Sequence, residues 1–296
     1  MSDTAKYEHT GRVIRAEIRT TATPQQTWEA WADSAKIAGW FVDRAAGEAK
    51  PGGTMTWFFD SFGYVLPYQV VDAVPGKLFV LKWEPPQGQG NAGILEVTIA
   101  RDGGETLVRL VNSGFREGVQ WEEEYEGVNS GWRMALSLLK EYLEHYFGRA
   151  KATETVLRPA AFEYARMRGV FLEAPNLAEW LTAPGSPGIG KVGDACRLTL
   201  RDGGTLTGRV LEITNTEVAL SWGEISGTLE LKAFAMGPQR MLGVRVMSWT
   251  LDADALKRAV AKLEPAVGRL AAIFSAPAAA ASAAAQSGTP FGEEKR

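Results

Sequence analysis

The stretch GVNSGWRMALSLLKEYLEHY, residues 127–146, decides how the rest of the chain is read. Its apolar residues Trp132, Leu136, Leu139, Leu143 and Tyr146 are spaced four, three, four and three apart. That spacing is the seam of an amphipathic helix with one face on a core. Gly148 follows as the C-cap, a position that favours a left-handed residue. Such a helix needs an apolar surface to cover, and the residues before it supply one.

Working back from Gly127, Val108, Leu110 and Asn112 share one face of a strand, as do Leu95, Val97 and Ile99. Phe79, Leu81 and Trp83 form a third such set, Tyr68 and Val70 a fourth, and Met55, Trp57 and Phe59 a fifth. Asp102-Gly103-Gly104, Pro75-Gly76, Gly63 and Pro51-Gly52-Gly53 punctuate these runs, so the strands read as consecutive antiparallel neighbours. Further upstream, Val13 to Arg19 alternates apolar and charged residues as a strand with one wet face. Thr23 and Pro24 open a helix as N-cap and first helical residue; it carries Trp28, Trp31 and Ile37 and ends at Trp40. The predicted class is α+β: a curved antiparallel sheet wrapped around a long C-terminal helix.

The second half repeats the first. At an offset of 140, Ile37, Ala38, Trp40 and Gly53 meet Leu177, Ala178, Trp180 and Gly193. After a slip to 139, Val71, Leu81 and Trp83 meet Val210, Leu220 and Trp222. The sequence Arg-Asp-Gly-Gly at 101–104 and again at 201–204 is a decoy, a common turn expected at different hairpins of the two copies. The predicted organisation is one unit over 11–150, a degenerate second copy over 151–275, and a disordered Ala/Pro-rich tail over 276–296. In the second copy Thr155 to Leu157 form the first strand. Asp252 caps a closing helix bearing Leu256, Val260, Leu263, Val267 and Leu270, which Pro265 should kink.

A net charge of −3 over 296 residues argues against a general nucleic-acid binder. Cys196 is the only cysteine and is expected to be a buried, inert thiol. The N-terminus lacks a secretory pattern and no apolar run is long enough for a bilayer span, so a cytoplasmic protein is expected. Residues 1–10 read as a loose polar terminus. His9 in that terminus and His145 off the helix seam are the only histidines. With no metal-binding spacing or phosphate loop in the sequence, neither a metal nor a cofactor is expected.

The first unit also resembles a known family, on residues spread through it in order. They are Thr23-Pro24-Gln25-Gln26-Thr27-Trp28, Trp40, Pro51-Gly52-Gly53, Pro75-Gly76-Lys77-Leu78, Trp83, the segment from Thr106 to Phe115, and Gly131-Trp132. The pattern resembles the heat-shock ATPase activator homologue branch of the START-like (SRPBCC) superfamily, with the second unit a faint copy. The resemblance implies a helix-grip fold with a space between sheet and long helix, which different relatives use for lipophilic ligands or simply fill. Many relatives in that branch carry histidine where this chain has Asn112, whose amide can orient a ligand but cannot act as a base at neutral pH.

By strand parity the candidate site is Trp57, Phe59, Tyr68, Trp83 and Asn112 on the sheet, with Trp132 facing them from the helix. These rings either fill a core or line a pocket for a small lipophilic molecule, and both readings stay open. The acidic run from Glu122 to Glu126 reads as a solvated helix start rather than a cation grip. Three functions follow in order of support: a binding module for a lipophilic ligand, a chaperone-engaging interaction module, and a cyclase or hydratase-type enzyme orienting substrate through Tyr68 and Asn112. No catalytic residue is assigned.

Overall fold

The computed structural model describes residues 7–84, 92–236 and 239–274. The tail expected over 276–296 lies outside them.

Strand β1 (Arg12–Thr20) runs into a capping box at the start of helix α1 (Pro24–Ala32). There the Thr23 hydroxyl accepts from the Gln26 N–H at 3.2 Å, and the Gln26 side-chain oxygen accepts from the Thr23 N–H at 3.0 Å. The helix expected to continue to Trp40 is instead two, because the Asp33 carboxylate caps α2 (Ser34–Ala38) by accepting from the Ala35 and Lys36 N–H groups. Six more strands follow: β2 (Arg44–Gly47), β3 (Thr54–Phe59), β4 (Tyr64–Val74), β5 (Leu78–Trp83), β6 (Gly93–Asp102) and β7 (Glu105–Phe115). The sheet order is β1-β7-β6-β5-β4-β3-β2, a meander whose last strand pairs with the first.

Helix α3 (Glu122–Glu141), extended by a π-helical turn over Tyr142–Tyr146, closes this unit and starts ahead of the expected Gly127. Its seam is buried as the spacing predicted: Trp132, Leu136, Leu139 and Leu143 are all in the core. Burying side chains of this size contributes about 1.5–3 kcal/mol each. Three of the acids at its start are paired, Glu122 with Arg12, Glu123 with Arg240 and Glu124 with Arg116.

The second unit is built alike. It comprises β8 (Ala152–Pro159), α4 (Tyr164–Leu172), α5 (Ala174–Trp180), β9 (Ala195–Thr199), β10 (Thr205–Ile213), β11 (Glu217–Trp222), β12 (Gly227–Met236) and β13 (Gln239–Ser248). Its sheet order is β8-β13-β12-β11-β10-β9. Pro265 breaks the closing helix outright into α6 (Ala253–Ala261) and α7 (Glu264–Ile273), and Asp252 caps the first of them.

The repeat extends to individual bonds. The Trp40 indole N–H donates to the Ala30 carbonyl at 2.9 Å, and the Trp180 indole N–H to the Val170 carbonyl at 3.3 Å. Val70 exchanges backbone bonds with Gly52 and Gly53, and Val210 does so with Gly193 and Asp194. Both valines directly precede a β-bulge. Val210 is therefore the counterpart of Val70, not of Val71, and the one-residue deletion sits later, in the turn that joins β10 to β11. A bulge changes the face of every residue beyond it, so both copies keep it, whereas turn length is nearly free. The two Arg-Asp-Gly-Gly segments do fall at different hairpins, β6–β7 and β9–β10.

The two units pack with α3 between them. Met134 and Leu138, on the helix face opposite the seam, are each 2% exposed, and α3 packs against β10, β11 and β12. The strand face that meets the first unit is charged yet buried. Lys232 Nζ lies 3.0 Å from Glu217 Oε2 and 3.1 Å from Glu230 Oε2, with Arg245 Nε 3.7 Å from the other Glu230 oxygen. Burial alone would raise the Glu230 carboxyl; Lys232 and then Arg245 outweigh it and hold it below its ordinary value. Trp249, just past β13, belongs to the first unit's core. Its ring stacks on Tyr146 at 4.2 Å, and its indole N–H donates to the Gly39 carbonyl at 2.7 Å.

Residues 7–10 are not the loose terminus expected of them. The Gly114 N–H donates to the Thr10 carbonyl at 2.8 Å, and Tyr7 donates to Asp72 at 2.5 Å. The His9 ring sits 3.1 Å from both Ser113 Oγ and Glu96 Oε2. Isolated polar residues gave no periodic signal for this clasp. Cys196 is buried as expected, and burial pushes its thiol up to about 11. His145 is exposed. Among the described residues, no helix is long and apolar enough to cross a membrane.

Candidate functional site

Between the first sheet and α3 lies a cavity of about 370 Å³. Trp57, Phe59, Tyr68, Trp83, Asn112 and Trp132, the six residues read from strand and helix parity, all line it. They come from β3, β4, β5, β7 and α3, so the meander and its closing helix converge on one space.

Most of the wall is aromatic. Trp57 and Tyr68 pack with ring centroids 4.7 Å apart. Phe41 stands edge-on to Trp57 at 5.4 Å and to Phe59 at 5.3 Å, and stacks on Trp132 at 5.5 Å. Such pairs hold their geometry, because offset and edge-on rings satisfy the quadrupole while interlocking. The cavity is a space left between braced rings rather than a loose core.

Its polar groups are few. Asn112 Oδ1 accepts from the Trp132 indole N–H at 2.9 Å, and Nδ2 donates to the Ile94 carbonyl at 3.3 Å. This pairing orients the amide, with its oxygen committed to the helix. The Tyr68 hydroxyl makes no hydrogen bond among the described residues, and burial pushes its phenol above its ordinary value, so it is a protonated donor at neutral pH. Ser113, next along β7, is 3% exposed and sends its hydroxyl to the opposite sheet face, toward His9. Near the start of α3, Glu124, Val128 and Gly131 complete the wall, with Glu124 held 3.0 Å from Arg116. No lysine, arginine or histidine among the described residues lines the cavity. Among the described residues, no cluster of three or more His, Cys, Asp or Glu could hold a metal ion.

Some of this wall was not read from sequence. Val128 lies four residues before Trp132 and Glu124 four before that, so extending the seam backwards would have found both. Phe41 comes from the loop between α2 and β2, where nothing in the spacing marks it.

Compared with known proteins, residues 21–144 match the family described as Activator of Hsp90 ATPase homolog 1-like protein. The match lies within the N-terminal unit, which is similar to that family. No curated protein matches the chain. Similar solved structures include the Aha1 dimer from Colwellia psychrerythraea, at 20% identity and a TM-score of 0.41, over 47% of this chain and 100% of that one. DynU16, a putative protein in the dynemicin biosynthetic locus, aligns over 90% of this chain and 100% of its own at 14% identity and a TM-score of 0.40. The di-domain ARO/CYC StfQ from the steffimycin biosynthetic pathway aligns over 88% and 98% at 13% identity and a TM-score of 0.35. The AHSA1-like match ends at residue 144, so it includes the cavity-lining part of α3 and stops short of the second unit.

Proposed function

We propose that this protein is a binding module whose AHSA1-like domain holds a small lipophilic molecule between sheet and long helix. The observation that carries the proposal is the cavity of about 370 Å³, walled by braced rings and furnished with a buried phenol that has no hydrogen bond among the described residues. Its size is within the range of small-molecule pockets, and apolar walls with a few placed polar groups are what such ligands need. A packed core of the same composition would instead interlock to native density.

Gly131 offers the test. It sits on α3 at the cavity wall, and a Cβ built there meets nothing within 4 Å. Gly131→Phe should fill the space while favouring the helix. A neutral lipophilic dye such as Nile red should bind the native protein saturably and quench its tryptophans, and G131F should weaken binding at least tenfold with no loss of melting temperature. Equal binding by G131F and the native protein refutes the proposal.

A second reading follows from the family match: engagement of an Hsp90-class ATPase. Titration of the purified chaperone onto this protein, read as a change in ATP turnover, tests it; no change in turnover removes it.

A further inference from the structure

We infer that the ligand of this cavity is a neutral, ring-bearing compound with an acceptor oxygen, such as a ketone, ester or amide, whose carbonyl accepts from the Tyr68 hydroxyl. This rests on the binding-module reading and narrows it. Three observations select the class. First, the cavity offers donors: the Tyr68 O–H has no hydrogen-bond partner among the described residues, and Asn112 has already committed its acceptor oxygen to Trp132 at 2.9 Å. A ligand whose own oxygen accepts satisfies Tyr68, whereas a pure hydrocarbon leaves that donor buried and unpaired.

Second, among the described residues no cation lines the space, and the one carboxylate at its rim, Glu124, is paired with Arg116 at 3.0 Å. A ligand carboxylate or phosphate would lose its hydration with no countercharge and would meet Glu124 on entry. An ammonium would find aromatic faces but no free carboxylate, since Glu124 is occupied. Third, the walls are flat rings fixed by mutual packing, with Phe41 stacked on Trp132 at 5.5 Å and Trp57 against Tyr68 at 4.7 Å. Flat unsaturated ligands fit such faces better than branched chains do.

Four naphthalene probes of matched size separate the possibilities: acetylnaphthalene, ethylnaphthalene, naphthoate and naphthyl-trimethylammonium, each titrated calorimetrically onto the full chain. The ketone should bind about five- to tenfold more tightly than the hydrocarbon, the gain of one net hydrogen bond. The two ions should bind more weakly than either. Tyr68→Phe, which keeps the ring, should erase the preference of ketone over hydrocarbon. Equal affinity for ketone and hydrocarbon, a preference that survives Y68F, or tighter binding of either ion overturns the inference while leaving the binding module standing. Failure of all four probes to bind sinks the binding module itself, and the inference with it.

Discussion

Replacing Trp249 by alanine should loosen the domain that Trp249 does not belong to in sequence. The indole is 5% exposed, stacks on Tyr146 at 4.2 Å with only 9° between ring planes, and donates to the Gly39 carbonyl at 2.7 Å. Truncating a buried tryptophan costs about 3–5 kcal/mol, because the void relaxes only partly. That range already contains the Gly39 carbonyl left without its donor, itself worth roughly 1–3 kcal/mol. With a urea slope of about 3 kcal/mol/M, a loss of about 3 kcal/mol moves the midpoint by roughly 1 M. Trp249→Phe should keep the stack and lose the hydrogen bond, costing about 1–2 kcal/mol. Urea denaturation by circular dichroism gives the size of the effect, and amide hydrogen exchange gives its location. Protection should fall in α2, at Gly39 and around Tyr142–Tyr146, as well as near β13. A midpoint shift below roughly 0.3 M in W249A, about 1 kcal/mol at that slope, would refute the reasoning. So would exchange that rises in the second sheet alone, leaving the first unit's protection intact.

Three further outcomes are expected. Lys151 Nζ donates to the Ala38 and Val42 carbonyls, and burial depresses it from an ordinary value of 10.5 to about 7. In the window between those values the unfolded chain binds the extra proton, so stability should rise with pH. The slope should reach at most about 1.4 kcal/mol per pH unit, and Lys151→Met should flatten it; parallel slopes for the two proteins would exclude the assignment. Lys232→Met strands the Glu217 and Glu230 carboxylates, each within 3.1 Å of the lost ammonium, and should cost about 3–5 kcal/mol by urea titration; a neutral result would mean water reaches the cluster. His9→Ala removes both 3.1 Å contacts of the N-terminal clasp and should speed limited proteolysis near Gly11 without moving the main unfolding transition; unchanged cleavage would show that Thr10 and Tyr7 suffice.

The readable parts of this fold were those whose period is local. The α3 seam and the face-sharing strand residues needed only their own spacing, so Trp132 and Trp57 were placed on one space before any tertiary information. What stayed hidden lay across the units. Glu230 and Lys232 alternate with Leu229, Leu231 and Ala233 as a solvated strand face would, and only their mutual compensation lets that face be buried. Met134 and Leu138 lie opposite the α3 seam, and local spacing carries no information on which surface packs against that face. Phe41, in a loop, depends on where α2 points. The slip between the repeats was misplaced because a bulge leaves no mark in composition.

The two-sided burial of α3 sets how the halves would fare apart. Cut free, the first would carry an oily strip along Met134 and Leu138 into water and tend to clump. The second would uncover a mosaic of Glu217, Glu230, Lys232 and Arg245 that water solvates readily, so it would stay dispersed, though missing the neighbour that Trp249 reaches for. Fusion in one polypeptide removes that imbalance: the oily strip of one half is always within reach of the half that conceals it.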